Sequence, residues 1–329
     1  MISIREVAKL AGVSPATVSR VINGTAKVAE EKRKKVLAVI EDTGFSPNEL
    51  ARALYKQSLK IIGVIVPTIE NPFFNHIAKA IEEEAFKNGY RIILCNSNGD
   101  SEKEIMNIQM LSRMKADGMI LMVSKEELRT EIAQCQFPVI VLDRRIVDGS
   151  ETAIIEADHY EGGKLATKHL IECGCKHIVA MAGVQELSSA RQRFQGYVDV
   201  CKEYNLPVQF IACDYDYNAG LLQTEELLKQ YPDVDGIIAS NDMVAISVYK
   251  VLRKKGYDVP NDIQVVGFDN VELSWLVTPE LTTIAQPIEE MGKLAFRLIL
   301  SYIQGEKIEK EYKLPICLIE RETTRRKNI

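Results

Sequence analysis

Apolar residues recur at helical spacing in three short segments near the N-terminus. The first segment runs from Ile4 to Ala11 and follows a capping box, Ser3-Ile-Arg-Glu6. The second begins after Ser14, a good N-cap residue, and the third covers about Glu30 to Asp42. Two short helices joined by a tight turn, with a third helix behind them, predict a helix-turn-helix domain over residues 1–45.

A second capping box, Ser46-Pro-Asn-Glu49, opens a shorter helical segment that ends at Leu54. A helix of about two turns is marginal alone in water. We therefore expect this segment to become ordered only against a partner. Residues 46–60 are predicted to form a hinge helix and a linker.

The pattern changes after residue 60, where short β-branched runs alternate with helical stretches. Alternation of this kind predicts an α/β fold built on doubly wound parallel sheets. The buried runs are Ile61–Val66, Arg91–Cys95, Met119–Met122 and Val139–Leu142, after which the series restarts with Ile178–Met181.

An internal repeat divides this body into two similar lobes. Gly118 and Gly236 open matching runs 118 residues apart, and Cys95 and Cys213 show the same separation. We expect an N-terminal lobe over residues 61–159 and 288–320 and a C-terminal lobe over 160–287. Ligands of such folds bind where the carboxyl ends of the strands converge.

Composition and charge narrow the classes of function. The chain is 46% hydrophobic and 26% charged, as in soluble globular proteins. No apolar run approaches the roughly 18 residues of a membrane helix, and the first residues lack the apolar stretch of a signal peptide. The seven scattered cysteines do not resemble a disulfide framework. We therefore expect a cytoplasmic protein with reduced, mostly buried thiols and no membrane partner.

The overall net charge of −5 conceals an uneven distribution. Residues 1–60 hold 11 basic and 6 acidic side chains, whereas the other 269 residues hold 30 and 40. A basic head on an acidic body indicates that only the head meets an anionic polymer. Its second helix carries side chains that can reach phosphates or base edges: Ser14, Thr17, Ser19 and Arg20.

Enzymatic and metal-binding functions find little support. The sequence has neither a glycine-rich phosphate loop nor a G-x-S-x-G nucleophile turn. A zinc site would need His169, Cys173, Cys175 and His177, but the helix and strand expected here diverge from Gly174. We expect no metal and no cofactor. Asp143 and Asp269 could act as a carboxylate pair, so a sugar-converting enzyme remains a remote alternative.

The head resembles the lactose-repressor family of bacterial regulators, and the resemblance extends through the whole chain. It rests on Val7–Ser14, Thr17–Asn23, Gly44–Asn48 and Ala51–Leu54. In that family the second helix enters the major groove of a palindromic operator, and the hinge helices of a dimer insert a leucine into the minor groove. The resemblance implies these DNA-binding residues: Ser3, Ser14, Pro15, Ala16, Thr17, Ser19, Arg20, Asn23, Asn48, Ala51 and Leu54.

The head departs from the family pattern at two places. Pro15 and Ala16 open the recognition helix but offer no side-chain hydrogen bond, so Arg20 must carry much of the direct readout. Ala29 stands where a serine or threonine would cap the third helix, so that cap is expected to be weak.

The body resembles periplasmic sugar-binding proteins, most closely the ribose-binding protein. The resemblance implies a ligand site of Asn71, Phe73, Phe74, Asp143, Arg144, Arg191, Tyr215, Asn241, Asp269 and Gln286. Two aspartates and two arginines balance each other, which suits a neutral ligand better than a sugar phosphate. Phe74 and Tyr215 are expected to sandwich the sugar ring, and either Phe73 or Phe74 could instead belong to the ordinary core. Asp242 is expected only to cap a helix.

These features together predict a homodimeric transcriptional repressor that responds to ribose or a similar pentose. Relief of repression by the sugar, rather than corepression, is implied by the resemblance alone. The main alternative is a corepressed regulator that senses a purine or a nucleoside.

Overall fold

The structure is a computed structural model that describes residues 2–23, 27–45, 58–123, 128–145 and 152–325. It divides into two compact units, residues 1–59 and 60–329. Three residues implied in DNA binding, Asn48, Ala51 and Leu54, lie outside the described residues, and so does the side chain of Asn23.

The head contains three helices, α1 (Ile4–Ala11), α2 (Pro15–Asn23) and α3 (Glu30–Thr43). The capping box is confirmed: the Ser3 side chain accepts from the Glu6 amide, and the Glu6 carboxylate accepts from the Ser3 amide. Gly12 has a φ of 66°, which permits the turn into α2. The predicted weakness of the third cap is also confirmed, because Ala29 makes no side-chain capping bond. Val7, Val18 and Val36 form the centre of the core.

The described part of the body alternates strands and helices. Its first half contains β1 (Ile61–Val66), α4 (Pro72–Lys87), β2 (Arg91–Asn96), α5 (Ser101–Met114), β3 (Gly118–Leu121), α6 (Arg129–Ala133), β4 (Val139–Leu142), β5 (Ala153–Ala157), α7 (His159–Glu172) and β6 (Ile178–Ala182). Its second half contains α8 (Ser188–Glu203), β7 (Gln209–Ala212), α9 (Tyr217–Gln230), β8 (Gly236–Ile238), α10 (Asp242–Lys255), β9 (Gln264–Asp269), α11 (Leu273–Leu276), β10 (Thr282–Ala285), α12 (Ile288–Ile303), β11 (Glu311–Leu314) and β12 (Cys317–Ile319).

These strands form two six-stranded sheets with matching topology. The first has the order β11-β5-β4-β3-β1-β2 and the second β12-β10-β9-β8-β6-β7. All the pairs are parallel except β10 with β12. Gly118 opens β3 and Gly236 opens β8, at equivalent places in the two sheets. The fold class predicted from the alternation and the repeat is therefore confirmed.

One boundary differs from the prediction. The expected first-lobe segment 288–320 supplies α12 and β11 to the first lobe, but its last strand, β12, pairs with β10 of the second sheet. The chain therefore crosses between the lobes once more, just before Cys317. A short edge strand can pair with either sheet, and its own sequence does not specify which.

The second lobe depends on a close approach of α7 and α8. A Cβ atom added at Gly163 would lie 2.0 Å from the carbonyl oxygen of Arg193, and one at Gly196 would lie 2.2 Å from that of Tyr160. Only glycine fits at such contacts. The two glycines thus fix the first turn of α7 against the middle of α8. No described helix has the length and apolar character needed to cross a membrane.

Candidate functional site

Two aspartates end strands of opposite lobes in a strained backbone conformation. Asp143 follows β4 with a φ of 70°, and Asp269 ends β9 with a φ of 111°. Residues other than glycine rarely adopt positive φ, and such strain clusters at ligand sites where the surrounding structure enforces it. Both carboxylates are buried. Asp143 and Asp269 therefore lie at the carboxyl ends of their strands, as the sequence predicted.

Cationic and imidazole groups surround the Asp143 carboxylate. Arg144 Nε lies 3.4 Å from Asp143 Oδ2, and His159 Nε2 lies 3.3 Å from Asp143 Oδ1. Burial alone would raise the pKa of Asp143, but the adjacent His159 imidazole and the charges of Arg144 and Arg193 hold that pKa well below its ordinary value. Asp143 is thus an ionised acceptor at neutral pH.

The Asp269 carboxylate lies farther from a positive charge than the Asp143 carboxylate does. Gln286 Nε2 donates to Asp269 Oδ1 at 2.7 Å, while Arg193 Nη2 lies 3.8 Å from the same oxygen. Burial raises the pKa of Asp269 to about 7, against the opposing effects of Arg193 and Gln286. Asp269 is therefore easier to protonate than an ordinary carboxyl group.

Asp242 lies buried near this carboxylate, and the expectation that it only caps a helix is wrong. The cap of α10 is Asn241, whose Oδ1 accepts from the Val244 amide at 2.9 Å. Asp242 instead accepts from the Thr283 hydroxyl at 2.6 Å and from the Val271 amide at 2.9 Å. Burial, with a contribution from the Asp269 charge, raises the pKa of Asp242 well above its ordinary value.

Arg193 was not predicted from the sequence, but it contacts buried groups that belong to both lobes. Its Nη1 donates to the Ser240 carbonyl at 2.9 Å, and its Nε donates to His159 Nδ1 at 3.3 Å. Its guanidinium carbon lies 3.7 Å from the centroid of the Phe268 ring, a close cation–π contact. Arg193 is thus fixed by three contacts besides its ion pair with Asp269.

Arg191, the arginine selected from the sequence, does not join this group. Its side chain is exposed, and its Nη1 donates to the carbonyls of Gln185 and Glu186. Residues two positions apart on a helix point in different directions, so Arg191 and Arg193 cannot share one face of α8. Among the described contacts, Arg193 and not Arg191 lies beside a buried aspartate of this group.

Aromatic rings bound the space next to Arg144. The Arg144 guanidinium carbon lies 5.8 Å from the Phe74 ring centroid and 6.0 Å from that of Tyr215. Phe73 contacts Phe74 edge-to-face at 5.2 Å, and both rings belong to the core cluster of the first lobe. Phe74 and Tyr215, from opposite lobes, thus both lie near the Arg144 guanidinium.

The two asparagines of the predicted site are buried beside these groups. Asn71 caps α4, with its Oδ1 accepting from the Phe73 amide at 3.0 Å. Asn241 also donates from Nδ2 to the Tyr215 carbonyl at 3.1 Å, which positions the aromatic residue. Both therefore use part of their hydrogen-bonding capacity to organise the backbone of the cleft.

Several buried polar atoms of this cleft make no hydrogen bond to any of the described residues. They are Asp143 Oδ1, Arg144 Nε, Tyr215 Oη, Ser240 Oγ and Gln286 Oε1. A small cavity of about 30 Å³ is lined in part by Arg193, Tyr215 and Ser240. A buried polar group without a partner costs about 1–3 kcal/mol. A ligand that supplies hydroxyl groups would therefore satisfy donors and acceptors together.

The head presents its recognition side chains to solvent. Ser3, Ser14, Pro15, Ala16 and Arg20 are exposed, and Thr17 and Ser19 are half-buried. The Ser14 Oγ caps α2 through the Thr17 amide at 3.2 Å and lies 2.9 Å from the Thr17 hydroxyl. Arg20 is thus the long cationic side chain among the described recognition residues.

The histidine and cysteines near Gly174 fasten the C-terminal segment instead of forming a metal cluster. His169 Nε2 lies 2.8 Å from the Thr324 hydroxyl, and the Cys173 thiol donates to the Arg325 carbonyl at 3.0 Å. Within the described ranges, no group of three or more potential ligands could hold a metal ion. The seven cysteines form no disulfide.

Both units of the chain match known protein families. Residues 3–48 match the family described as bacterial regulatory proteins, lacI family. Residues 59–322 match the periplasmic binding proteins and sugar binding domain of the LacI family.

The chain belongs to the LacI family. It is a DNA-binding transcriptional repressor of this family and not an enzyme.

Curated relatives of the LacI-family chain include repressors with different names. The ribose operon repressor of Halalkalibacterium halodurans is 36% identical over 326 residues, 99% of this chain and 98% of the relative. The transcriptional repressor PurR of Actinobacillus pleuropneumoniae is 35% identical over 315 residues, 94% of this chain and 93% of the relative. Overall identity therefore does not separate these two relatives.

Solved structures of family members show both kinds of partner. The lac repressor dimer bound to operator and the anti-inducer ONPF has a TM-score of 0.89 at 28% identity, covering 98% of each chain. A LacI-family regulator from Enterococcus faecium with bound ribose has a TM-score of 0.73 at 30% identity, covering 80% of this chain and 98% of that one.

The sequence prediction missed two site groups, Arg193 and His159, and only Arg193 left a detectable signal there. Ala190, Arg193, Tyr197 and Val200 repeat at helical spacing, and the first, third and fourth are buried. Arg193 therefore lies on the inward face of α8, which the periodicity could have revealed. His159 had no comparable signal, because its partners come from distant parts of the chain.

Proposed function

We propose that this LacI-family repressor binds ribose or a closely related pentose between its lobes, and that the sugar releases the repressor from its operator. The supporting observation is the juxtaposition of buried polar atoms from both lobes with the Phe74 and Tyr215 rings. Carboxylates and guanidinium groups bind hydroxyls through charge-assisted bonds, while aromatic rings cover the apolar faces of a sugar.

The proposed sugar-binding residues are Asn71, Phe74, Asp143, Arg144, Arg193, Tyr215, Asn241, Asp269 and Gln286. Phe73 supports the Phe74 ring from the core side. Arg193 replaces Arg191 in this set. The site therefore still has two arginines beside its two aspartates, which suits a neutral ligand. A ligand-bound relative with ribose supports the same ligand class.

The proposed DNA contacts come from the head and the hinge. The exposed Arg20 and the hydroxyls of Ser14, Thr17 and Ser19 are suited to the major groove. Ser3, Pro15, Ala16, Asn23 and Asn48 are proposed to lie near the DNA backbone or base edges. Ala51 and Leu54 are proposed for the minor groove, with Leu54 as the apolar wedge.

A homodimer is proposed as the operator-binding form. Both lobes expose large apolar side chains on an edge strand and on a neighbouring helix: Leu94, Met106, Met110 and Met114 in the first lobe and Phe210 and Leu222 in the second. Exposed apolar patches of this kind mark protein interfaces. A dimer with twofold symmetry matches a palindromic operator, and the operator-bound relative is a dimer. We expect this repressor in the cytoplasm, the compartment that holds bacterial DNA.

A purine or a nucleoside is the alternative effector, and the identity to PurR is the observation in its favour. The alternative predicts corepression instead of release. Asp143 argues for the sugar, because an ionised carboxylate only accepts hydrogen bonds and a pentose supplies several hydroxyl donors.

Calorimetric titration of the full chain with ribose, other pentoses, hexoses, hypoxanthine and guanine tests the proposal. Saturable heat with ribose or a close pentose is expected. Heat with a purine base and none with any sugar would contradict the proposal and support the alternative.

A further inference from the structure

We infer that His159 is a positioning residue of the sugar site, acting as a neutral imidazole protonated on Nε2 that holds Asp143 and Arg193 in a single arrangement. The inference rests on the proposed sugar binding and names a residue that neither the resemblance nor the strand-end pattern selects.

The hydrogen bonds of His159 determine its protonation state. Arg193 Nε can only donate, and it lies 3.3 Å from His159 Nδ1, so Nδ1 must be the unprotonated acceptor. The proton of the neutral ring therefore sits on Nε2. That nitrogen faces two oxygens of Asp143, the carbonyl oxygen at 3.2 Å and Oδ1 at 3.3 Å.

Burial makes this arrangement rigid. The His159 side chain has no exposed surface, and its ring lies 6.1 Å from the Phe268 ring that also stacks on Arg193. The close contact at Gly163 fixes the Arg193 backbone against α7, the helix that begins at His159. His159 and Arg193 are therefore held at a constant separation.

The position of His159 in the chain connects the lobes. It follows β5 directly, where the backbone passes from the first sheet to the second. On one side it contacts the strand-end Asp143 of the first lobe, and on the other the Arg193 guanidinium that faces Asp269 in the second lobe. One imidazole thus orients a proposed acceptor and a proposed donor for the sugar.

Matched substitutions test this role by calorimetry with ribose on the full chain. His159→Phe removes both hydrogen bonds while keeping a ring, and it is expected to weaken ribose binding about tenfold or more. His159→Gln retains one donor and one acceptor and is expected to recover most of that loss. His177→Gln, the same change at an exposed histidine, is the control and is expected to bind like the wild type. Wild-type affinity in His159→Phe, or equal losses in the Phe and Gln variants, would overturn the inference.

A spectroscopic measurement tests the inference without any ligand. The chain has four histidines, so the signals of His159 in a ¹⁵N-labelled sample are assigned by their loss in His159→Gln. At pH 7.5 the expected pattern is that of a neutral ring protonated on Nε2. A proton on Nδ1, or on both nitrogens, would overturn the inference. If the wild type gives no heat with ribose, the sugar proposal fails, while this spectrum still decides the tautomer and hence the proposed arrangement.

Discussion

Removal of the Arg193 guanidinium is expected to weaken ribose binding strongly. Arg193 lies 3.8 Å from Asp269 Oδ1 and is fixed by bonds to the Ser240 carbonyl and to His159. A hydrogen bond to a charged group contributes about 1.5–3 kcal/mol. Because about 1.4 kcal/mol corresponds to a factor of ten in Kd, Arg193→Ala is expected to weaken binding roughly 10- to 150-fold.

A second effect acts in the same direction. Burial raises the pKa of Asp269 to about 7 even though the Arg193 charge opposes this shift. Without the guanidinium this pKa rises further, and a larger fraction of Asp269 is protonated at neutral pH. The loss of affinity is therefore expected to be larger at pH 7 than at pH 8.5.

Calorimetry on the full chain measures both effects, with Arg191→Ala as the matched control. Arg191 is on the same helix but is exposed and bonded to two backbone carbonyls, so the control is expected to stay within about twofold of the wild type. Equal losses in the two variants, or wild-type affinity in Arg193→Ala, would refute the assignment of the second arginine.

Four further outcomes are expected from the same account. Ribose affinity falls roughly tenfold from pH 8 to pH 6 in calorimetry, because a carboxyl with a pKa of about 7 loses its acceptor charge as the pH falls through that value; a flat profile would exclude Asp269 as an ionised ligand group. Operator affinity measured by fluorescence anisotropy falls steeply with salt although the whole chain is acidic, since the basic head releases counterions, and a flat log–log plot would contradict this. Leu54→Ala weakens operator binding in the same assay but leaves ribose binding intact, because the wedge that offsets the unstacking of bases is lost; unchanged operator affinity would exclude the wedge. Met110→Glu shifts the chain toward monomers in sedimentation velocity, since it buries a charge in the proposed interface, and an unchanged dimer would remove α5 from that interface.

Local signals in the sequence predicted much of the fold. Strand β1 runs from Ile61 to Val66 as expected, because a continuous apolar run is buried on both faces of a parallel sheet. The Ser3 capping box and the Gly12 turn were also predictable, since each depends on residues within one turn of the chain. The spacing of the internal repeat also predicted that the strands form two matching sheets.

The details of the site depend on contacts that are distant in sequence. The partners of Asp242 are Thr283 and the Val271 amide, which lie on other elements, so its burial could not be predicted from its place at the start of a helix. His159 similarly contacts Asp143 and Arg193 through tertiary packing. For this reason the residue types of the cleft were easier to predict than their connections.

Release of operator DNA by ribose is the decisive measurement for the proposed function. A fluorescent palindromic operator bound by the full chain is titrated with ribose and, in parallel, with hypoxanthine and guanine, while anisotropy reports the bound fraction. Ribose, or a close pentose, is expected to lower the anisotropy to that of free DNA in a saturable way, and the purines are expected to have no effect. Unchanged anisotropy with every pentose, together with tighter operator binding in the presence of a purine, would contradict the proposed function.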